Sequence, residues 1–411
     1  MTIRTPDLSV DDHGRTMELT ARLALAVRRL PTATVLLVLV GTLCVAGTVM
    51  VGSASEVVSI ETYGSPWSIL IRQCLWVVLG TGGLVVASRV DYRRWRRFGG
   101  LLLAGTFFLL LAVLVPGLGT HTAGSTRWLG FGSFMVQPSE LAKLAIALFG
   151  ADLVVRRQED GSPYRRIVGP LLLVTGAAAL LILAQPDMGT AAVVGCIALA
   201  LLFASGVPMR PIVKTVVVVG MVGFVGALVE PYRRQRLLSF LDPGAHASGS
   251  GYQVLQSLIG LGSGHLFGVG LGNGQEKWGY LPNAHTDFIY SVVGEELGLV
   301  GAVCLLVLLV LFCWFGLRAA SRASDRFGGL LGVALVAWLA AETFINVGAV
   351  IGLLPVTGIP LPFVSYGGSS LVIDMVAAGL LVNIARHEVR PGQPPPYPPH
   401  RPRRPQLFEV R

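Results

Sequence analysis

Ten apolar runs, each about as long as a membrane-crossing helix, constrain this chain more than any other feature. A helix needs about 20 predominantly apolar residues to cross the hydrocarbon of a bilayer. The predicted spans are 31–53, 67–88, 99–116, 138–155, 167–184, 187–205, 211–229, 297–317, 329–354 and 371–387. Only 13% of the residues are charged, against about 25% in soluble domains. The sequence therefore excludes a water-soluble globule and predicts an all-α polytopic membrane protein with ten transmembrane helices.

The positions of the basic residues predict the orientation of these spans. Alternate connections carry 25 of the 32 Lys and Arg residues. Because Lys and Arg are enriched in cytoplasmic loops, both termini are predicted to be cytoplasmic. The long connection 230–296, between spans seven and eight, then faces outward. The net charge of +9 is explained by topology, and no nucleic-acid partner is expected.

Three segments follow one another along the chain: a cytoplasmic N-terminal segment (1–30), a membrane domain (31–387) and a Pro/Arg-rich cytoplasmic tail (388–411). Residues 17–30 would form either a basic amphipathic helix on the inner leaflet or a flexible positive flank. The first span resembles a secretory signal, but its apolar stretch is longer than a signal's, which favours a retained anchor. The tail is predicted to be extended, with polyproline character.

Charged residues near the spans are few, and most lie where an even-numbered span begins. Such charges are costly in a membrane and are therefore candidate site residues. Even-numbered spans begin at the outer face, so the positive ends of their helix dipoles meet there. The residues at these starts are Arg72, Glu140, Lys143, Asp187 and Asp287. Together with the glycines and hydroxyls of 357–370, they predict an outward-facing anion site.

Each candidate also has a structural interpretation. Glu140 and Lys143 lie three residues apart on one helix and would pair with each other. Asp187 would complement the dipole of its own helix, and Asp287 would cap the helix that follows it. Arg127 would extend its guanidinium to the outer headgroups. The sequence leaves these alternatives open.

Other polar features are assigned to structure. Glu342 and Asp374 are predicted to form hydrogen bonds between helices, because an unpaired carboxylate at that depth is unfavourable. Gln-Pro pairs at 137–138 and 185–186 predict that spans four and six begin there. The segment 260–274 contains seven glycines, but a dinucleotide site would need a preceding strand and a following helix, and neither is predicted.

Four motifs of this sequence resemble those of the SEDS family, named for shape, elongation, division and sporulation. They are QPSE at 137–140, QPDMGT at 185–190, KWGYLPNAHTDFI at 277–289 with GEELG at 294–298, and LPFVSYGGSS at 361–370. They occur in the family's order. The GEELG form looks more like the cell-division branch of the family than the elongation branch. The GQE at 274–276 departs from the Ser-Arg that other members often carry.

The resemblance implies a bacterial inner-membrane peptidoglycan glycosyltransferase that polymerises lipid II and releases undecaprenyl pyrophosphate. Its implied partners are a class B penicillin-binding protein, other division proteins and membrane lipid. By the motif match, Asp287 occupies the position of the family's essential acidic residue. The substrate-binding candidates are Arg72, Arg127, Glu140, Lys143, Asp187, His285 and Ser369.

Glycosyl transfer between lipid-linked sugars sets two chemical tasks. A base must accept the proton of the attacking hydroxyl, and Asp287 is the candidate. Positive charge must stabilise the leaving pyrophosphate, for which Arg72, Arg127 and Lys143 are the candidates. No cofactor or metal ligand is assigned, although a divalent cation, Mg²⁺ or Mn²⁺, would suit the same task.

Three alternatives stay open at this point. A lipid II flippase would also need outer polar residues and a lipid groove, but it predicts charges through the bilayer depth or an inner-face counterpart. An elongation-type polymerase would perform the same chemistry in a different process. A non-catalytic scaffold of the division machinery predicts that Asp287 is dispensable.

Overall fold

The computed structural model describes residues 31–122, 125–131, 134–229, 240 and 251–389, and most of these residues are helical. The helices are α1 (Thr32–Tyr63), α2 (Ser68–Arg89), α3 (Tyr92–Leu114), α4 (Pro138–Glu159), α5 (Arg165–Ala184), α6 (Met188–Ala204), α7 (Met209–Val229), α8 (Tyr252–Ser263), α9 (Ile289–Ser321), α10 (Arg326–Val350) and α11 (Ser369–Arg386). Within the described part of the chain, seven of these helices are long and apolar enough to cross a membrane: α1, α2, α3, α5, α9, α10 and α11. The chain is a polytopic helical membrane protein. The predictions for 1–30, for most of 230–250 and for residues 390–411 of the tail lie outside the described residues.

The connection between α3 and α4 carries a small antiparallel sheet. Its strands are β1 (Thr120–Thr122), β2 (Ser125–Phe131) and β3 (Phe134–Val136), in that order. The all-helical prediction is incomplete at this point. Threonine and aromatic residues favour extended backbone, but strands of three residues are too short to show a recognisable alternation.

Two helices extend beyond their predicted spans. α1 continues from residue 53 to Tyr63 without a break. α9 begins at Ile289 rather than at 297, and its backbone departs from helical geometry at Gly298 (φ 69°, ψ −170°). Because Glu295 and Glu296 lie before that break, hydropathy alone places the start of the span at the break.

The two Gln-Pro pairs have different outcomes. α4 begins at Pro138, as predicted. Pro186 instead precedes the α6 cap, which is Asp187, and the helix begins at Met188. The prediction that proline occupies the first turn is therefore confirmed for α4 and wrong for α6.

Hydrogen bonds define two ends of the helical bundle. Thr32 Oγ1 donates to Glu388 Oε2 at 3.1 Å, so the start of α1 and the residues after α11 lie together at what we call the terminal end. Gln137 N donates to Ser369 Oγ at 3.2 Å, which joins the starts of α4 and α11 at the opposite, loop end. The first and last described parts of the chain therefore lie together on one side of the bundle.

Small residues allow α2 and α11 to approach closely. A Cβ added at Gly379 would lie 2.5 Å from Leu84 O and 2.8 Å from Ala87 Cβ. Since lipid tails are as apolar as the helices, close van der Waals contact is a main source of helix association in membranes. Leu101 and Leu173, in contrast, are 72% and 74% exposed, as expected of side chains that face lipid.

The connection 351–368 between α10 and α11 folds back into the bundle, and we call it the re-entrant loop. Phe363 and Val364 are each 1% exposed. The ring of Phe363 meets that of Phe312 edge to face at 5.2 Å, and a Cβ at Gly47 of α1 would lie 2.5 Å from Val364 Cα. Irregular backbone at membrane depth is tolerated only where protein buries it. Residues 361–365 of this loop meet that condition, whereas Leu353 near its start is 69% exposed.

The glycine-rich segment 260–274 lies against the first part of α9. Leu299 N, just after the break at Gly298, donates to His265 O at 2.9 Å. A Cβ at Gly298 would lie 2.3 Å from Gly268 N. The glycines therefore permit backbone-to-backbone contact. α8, not a strand, leads into this segment, which confirms that it is no dinucleotide motif.

This contact predicts a difference between two neighbouring glycines. A Cβ at Gly264 would lie 1.9 Å from Gly294 O, whereas one at Gly262 would meet nothing within 4 Å. Gly264→Ala should lower the free energy of unfolding by about 1–3 kcal/mol through overpacking. Gly262→Ala, two residues earlier in the last turn of α8, should be neutral or slightly stabilising. Thermal unfolding in detergent measures both, and equal melting temperatures would contradict the proposed contact.

Candidate functional site

Asp287, the predicted catalytic acid, lies at the loop end on a turn that precedes α9. Its carbonyl accepts a hydrogen bond of 2.7 Å from Asn346 Nδ2, and the same amide donates to Ile359 O at 2.7 Å. Its carboxylate faces Gly358, because a Cβ built there would lie 3.5 Å from Asp287 Oδ2. Asn346 of α10 therefore fixes the Asp287 turn against the re-entrant loop.

The structural interpretation of Asp287 as a helix cap is not supported. The N-cap of α9 is Phe288, which makes no side-chain cap hydrogen bond. Asp287 itself is partly exposed at the loop end. This position leaves the carboxylate within reach of a ligand at the loop end.

Arg72 reaches the same turn through Tyr366. The rings of His285 and Tyr366 lie 5.7 Å apart, and Tyr366 N donates to His285 O at 3.0 Å. Arg72 of α2 lies 4.1 Å above the ring of Tyr63 and donates to its hydroxyl at 2.7 Å. Burial raises the pKa of Tyr366, and the nearby guanidinium of Arg72 lowers that pKa in part. The structure thus brings together Arg72, Tyr366, His285 and the Asp287 turn.

His285 presents a neutral ring to this site. Burial lowers the pKa of its imidazole to about 4, so the ring is uncharged at neutral pH. Its Nδ1 is buried and has no hydrogen-bond partner among the described residues. A neutral imidazole nitrogen either donates or accepts, depending on the tautomer, so His285 is suited to bind a hydroxyl of a ligand.

Ser369 and Asp187 belong to a second cluster, where α4, α6 and α11 begin. The amide Nε2 of Gln137, whose backbone N contacts Ser369, donates to Asp187 Oδ2 at 2.9 Å. Asp187 also accepts hydrogen bonds from Ser139 Oγ and Thr190 N, each at 3.1 Å. With 3% exposure and three donors, Asp187 is a structural cap that joins α4 to α6.

The re-entrant loop connects the two clusters. A Cβ at Gly189, in the first turn of α6, would lie 2.5 Å from Ile359 Cγ1 and 3.0 Å from Thr357 Cβ. Gly358, between these two residues, faces Asp287. The start of α6 and the Asp287 turn therefore lie on opposite sides of the same short piece of backbone.

Arg127, on β2, makes a specific contact at the loop end. Its Nε donates to Gln185 O at 2.9 Å, and its Nη2 contacts Pro186 O. The last carbonyls of a helix lack intrahelical partners, and Arg127 satisfies those that follow α5. It holds the sheet over the α5–α6 turn while remaining partly exposed, so it does more than reach toward headgroups.

Lys143 does not lie with Arg72. It is 1% exposed, its ammonium pairs with Glu140 at 2.6 Å and with Glu342 of α10, and it lies 4.8 Å from the ring centre of Trp338. The predicted pairing of Glu140 with Lys143 and the interhelical role of Glu342 are confirmed. Asp374 joins the same cluster, because its carboxylate lies within 4.8 Å of those of Glu140 and Glu342. A direct contact between this lysine and substrate is not supported by the geometry.

A resident divalent cation does not fit this buried cluster. Carboxylate oxygens of Glu140, Glu342 and Asp374 lie within 4.8 Å of one another, close enough to share an ion. The Lys143 ammonium already contacts two of the three and supplies the positive charge. Mg²⁺ also retains several waters in protein sites, and all three acids are nearly inaccessible to solvent.

Several residues of the site were not singled out from the sequence. Ser365 Oγ donates to Thr286 O at 2.6 Å and so holds the re-entrant loop to the Asp287 turn. Asn346 is a polar side chain within a predicted span, but it carries no charge, and the rule that selected Glu342 considered charged residues. Tyr366 lies inside a recognised motif, but nothing in its spacing indicates contact with Arg72.

The buried cluster predicts that removing the Lys143 charge strongly destabilises the protein and that a second substitution partly restores its stability. Lys143→Met leaves Glu140 and Glu342 without their cation and should cost about 3–5 kcal/mol. Adding Glu342→Gln should restore part of that loss, because one uncompensated charge is removed. A double-mutant cycle from unfolding in detergent measures the coupling. A stable Lys143→Met protein with additive effects would instead favour an exposed, substrate-contacting lysine.

The fold and the loop-end cluster define a polytopic helical membrane protein with a polar, arginine-containing site at one end. The chain belongs to the FtsW/RodA/SpoVE family: the family model described as "Cell cycle protein" matches residues 33–390. The SEDS resemblance of the four motifs is therefore confirmed.

Named relatives cover most of the chain. It is 39% identical over 339 residues to the "Probable peptidoglycan glycosyltransferase FtsW" of Geobacter metallireducens, a match that covers 82% of this chain and 90% of the relative. It is 40% identical over 342 residues to the "Stage V sporulation protein E" of Bacillus subtilis, covering 83% of this chain and 93% of the relative.

A solved structure shares the fold. It is described as "Structural coordination of polymerization and crosslinking by a peptidoglycan synthase complex", and one of its chains superposes with a TM-score of 0.70 at 30% identity. The match covers 85% of this chain and 96% of the other. The helical architecture is therefore that of a known peptidoglycan synthase component.

Proposed function

We propose that this protein is a peptidoglycan glycosyltransferase that polymerises lipid II during cell division and releases undecaprenyl pyrophosphate. The observation that carries the proposal is the convergence of Asp287, His285 and Arg72 at the loop end. A carboxylate, a neutral imidazole and a guanidinium suit the acceptor hydroxyl and the pyrophosphate of such a reaction. The glycosyltransferase name of its relatives favours this function over a flippase.

The proposed orientation has ten membrane-crossing helices, α1 to α7 and α9 to α11, in the bacterial cytoplasmic membrane. The terminal end is cytoplasmic and the loop end faces outward. The excess of Lys and Arg in alternate connections supports this orientation, as does the common side of Thr32 and Glu388. Lipid II would then meet the site from the outer leaflet.

The chemical step is a single displacement. The acceptor sugar's hydroxyl oxygen attacks the anomeric carbon of the donor, a new glycosidic C–O bond forms, and the bond from that carbon to the pyrophosphate oxygen breaks. Asp287 takes the hydroxyl proton as general base. The pyrophosphate leaves with the bonding electron pair, and the stereochemistry inverts because one displacement occurs.

The other site residues have two kinds of role in this proposal. Arg72 and Arg127, both partly exposed, stabilise the pyrophosphate, while His285 and Ser369 orient sugar or phosphate groups. Asp187 positions α6. The remaining two, Glu140 and Lys143, position α4 against α10 through Glu342 and act without touching substrate.

The proposed partner is a class B penicillin-binding protein that crosslinks the product, with other division proteins and membrane lipid around the complex. The structural relative, described as part of a complex that polymerises and crosslinks, supports this pairing. The partner's identity would follow from co-purification of the full-length chain.

The decisive variant is Asp287→Asn. It removes the base and leaves the turn's backbone contacts to Asn346 intact, so polymer formed from lipid II should fall at least about 100-fold while the melting temperature is retained. Asp160→Asn is the matched control, because Asp160 is an exposed acid after α4, at the terminal end.

Both variants are assayed with and without the cognate penicillin-binding protein. Association with the partner should persist for Asp287→Asn. Equal glycan from the wild type and this variant would rule out Asp287 as the base and favour a scaffold.

A further inference from the structure

A cavity of about 520 Å³ opens at the terminal end, away from the loop-end site. Its volume falls within the ~300–1,000 Å³ of ordinary ligand sites. The charged residues in its lining are Arg93, Arg96, Arg97, Arg156, Glu159 and Asp325. Four cations against two anions give this lining a formal charge of +2, before its neighbours Asp91 and Asp152 are counted.

Ion pairs occupy three of the four lining arginines. Arg96 Nε lies 2.6 Å and Arg156 Nη2 lies 2.5 Å from the carboxylate of Asp152, and Arg96 Nη2 also lies 3.9 Å from Glu159. Arg93 pairs with Asp325 at 2.6 Å and lies 3.8 Å from Asp91. Arg97 is exposed and makes no ion pair with any other described residue. Guanidinium groups arranged in this way suit the oxygens of a phosphate.

Helix starts add to the positive potential of the cavity. α3 begins at Tyr92 and α10 at Arg326, and each contributes arginine or aromatic residues to the lining. The amino end of a helix carries a partial positive charge. The last turn of α4 also lines the cavity through Arg156 and Glu159 and carries the opposite partial charge, so the two helix starts are offset in part.

The surface beyond the cavity is apolar and faces lipid. Leu101 and Phe108 follow Arg97 on the same face of α3, four and eleven residues later. They are 72% and 70% exposed. A phosphate carrying acyl chains would match both the cavity and this stripe, whereas a free phosphate would match the cavity alone.

We propose that the cavity binds the phosphodiester headgroup of an anionic phospholipid, whose acyl chains lie along α3 over Leu101 and Phe108. Basic pockets between transmembrane helices at the cytoplasmic side recognise such headgroups. The proposal rests on the membrane fold and is independent of glycosyl transfer. It assigns the terminal end a lipid site separate from the substrate site at the loop end.

The test compares retention of phosphatidylglycerol and phosphatidylcholine by native mass spectrometry of the full-length protein in detergent. Arg97→Gln should weaken phosphatidylglycerol binding about fivefold, the effect of about one Arg–headgroup attraction. Phosphatidylcholine retention should not change. Arg94→Gln is the matched control, because Arg94 is also exposed but does not line the cavity.

The outcomes separate the two sources of phosphate. Retention that survives millimolar inorganic phosphate supports the lipid, while displacement by inorganic phosphate overturns the proposal in favour of a free anion. Equal losses in Arg97→Gln and Arg94→Gln would show general surface attraction and also overturn it. Since Arg97 makes no ion pair among the described residues, its loss should leave the melting temperature unchanged, which the same preparations verify.

Discussion

Irregular backbone inside a bilayer must find its hydrogen-bond partners within the protein, and the loop end of this molecule depends on that constraint. Residues 361–365 of the re-entrant loop are buried, and so their carbonyl groups cannot turn to water. The Asn346 amide donates hydrogen bonds to the carbonyls of Asp287 and Ile359. Ser365 also joins the re-entrant loop to the Asp287 turn. The position of Asp287 is thus a consequence of how the membrane domain satisfies its own backbone.

The same low dielectric determines which cations are available for function. A buried ammonium is stable only when paired, and Lys143 is held by two carboxylates beneath the site. Arg72 lies against Tyr63 and Tyr366, where partial exposure leaves its guanidinium accessible. Lys143 and Arg72 are both basic residues near the start of an even-numbered span. The structure nevertheless makes Lys143 a structural cation and leaves Arg72 available for function.

The sequence predicts the helices well because apolar length is a local property. The sequence also places the candidate acid and the Gly-Gly loop at one end. Both precede even-numbered spans, and all even-numbered spans begin on the same side of the membrane. The sequence does not predict the sheet around Arg127, two of whose three strands have only three residues, or the early start of α9, where acidic residues conceal a helix. Nor does it reveal that Tyr366 connects Arg72 to His285, since that contact joins residues almost 300 positions apart.

The central claim is that the lipid pyrophosphate binds at Arg72 while the acceptor hydroxyl faces residue 287. Cryo-electron microscopy of Asp287→Asn in a lipid nanodisc, trapped with lipid II, measures this directly. The account predicts pyrophosphate density within hydrogen-bond distance of the Arg72 guanidinium and a sugar beside residue 287. Pyrophosphate bound instead at the Lys143 cluster, or at the terminal end, would contradict it.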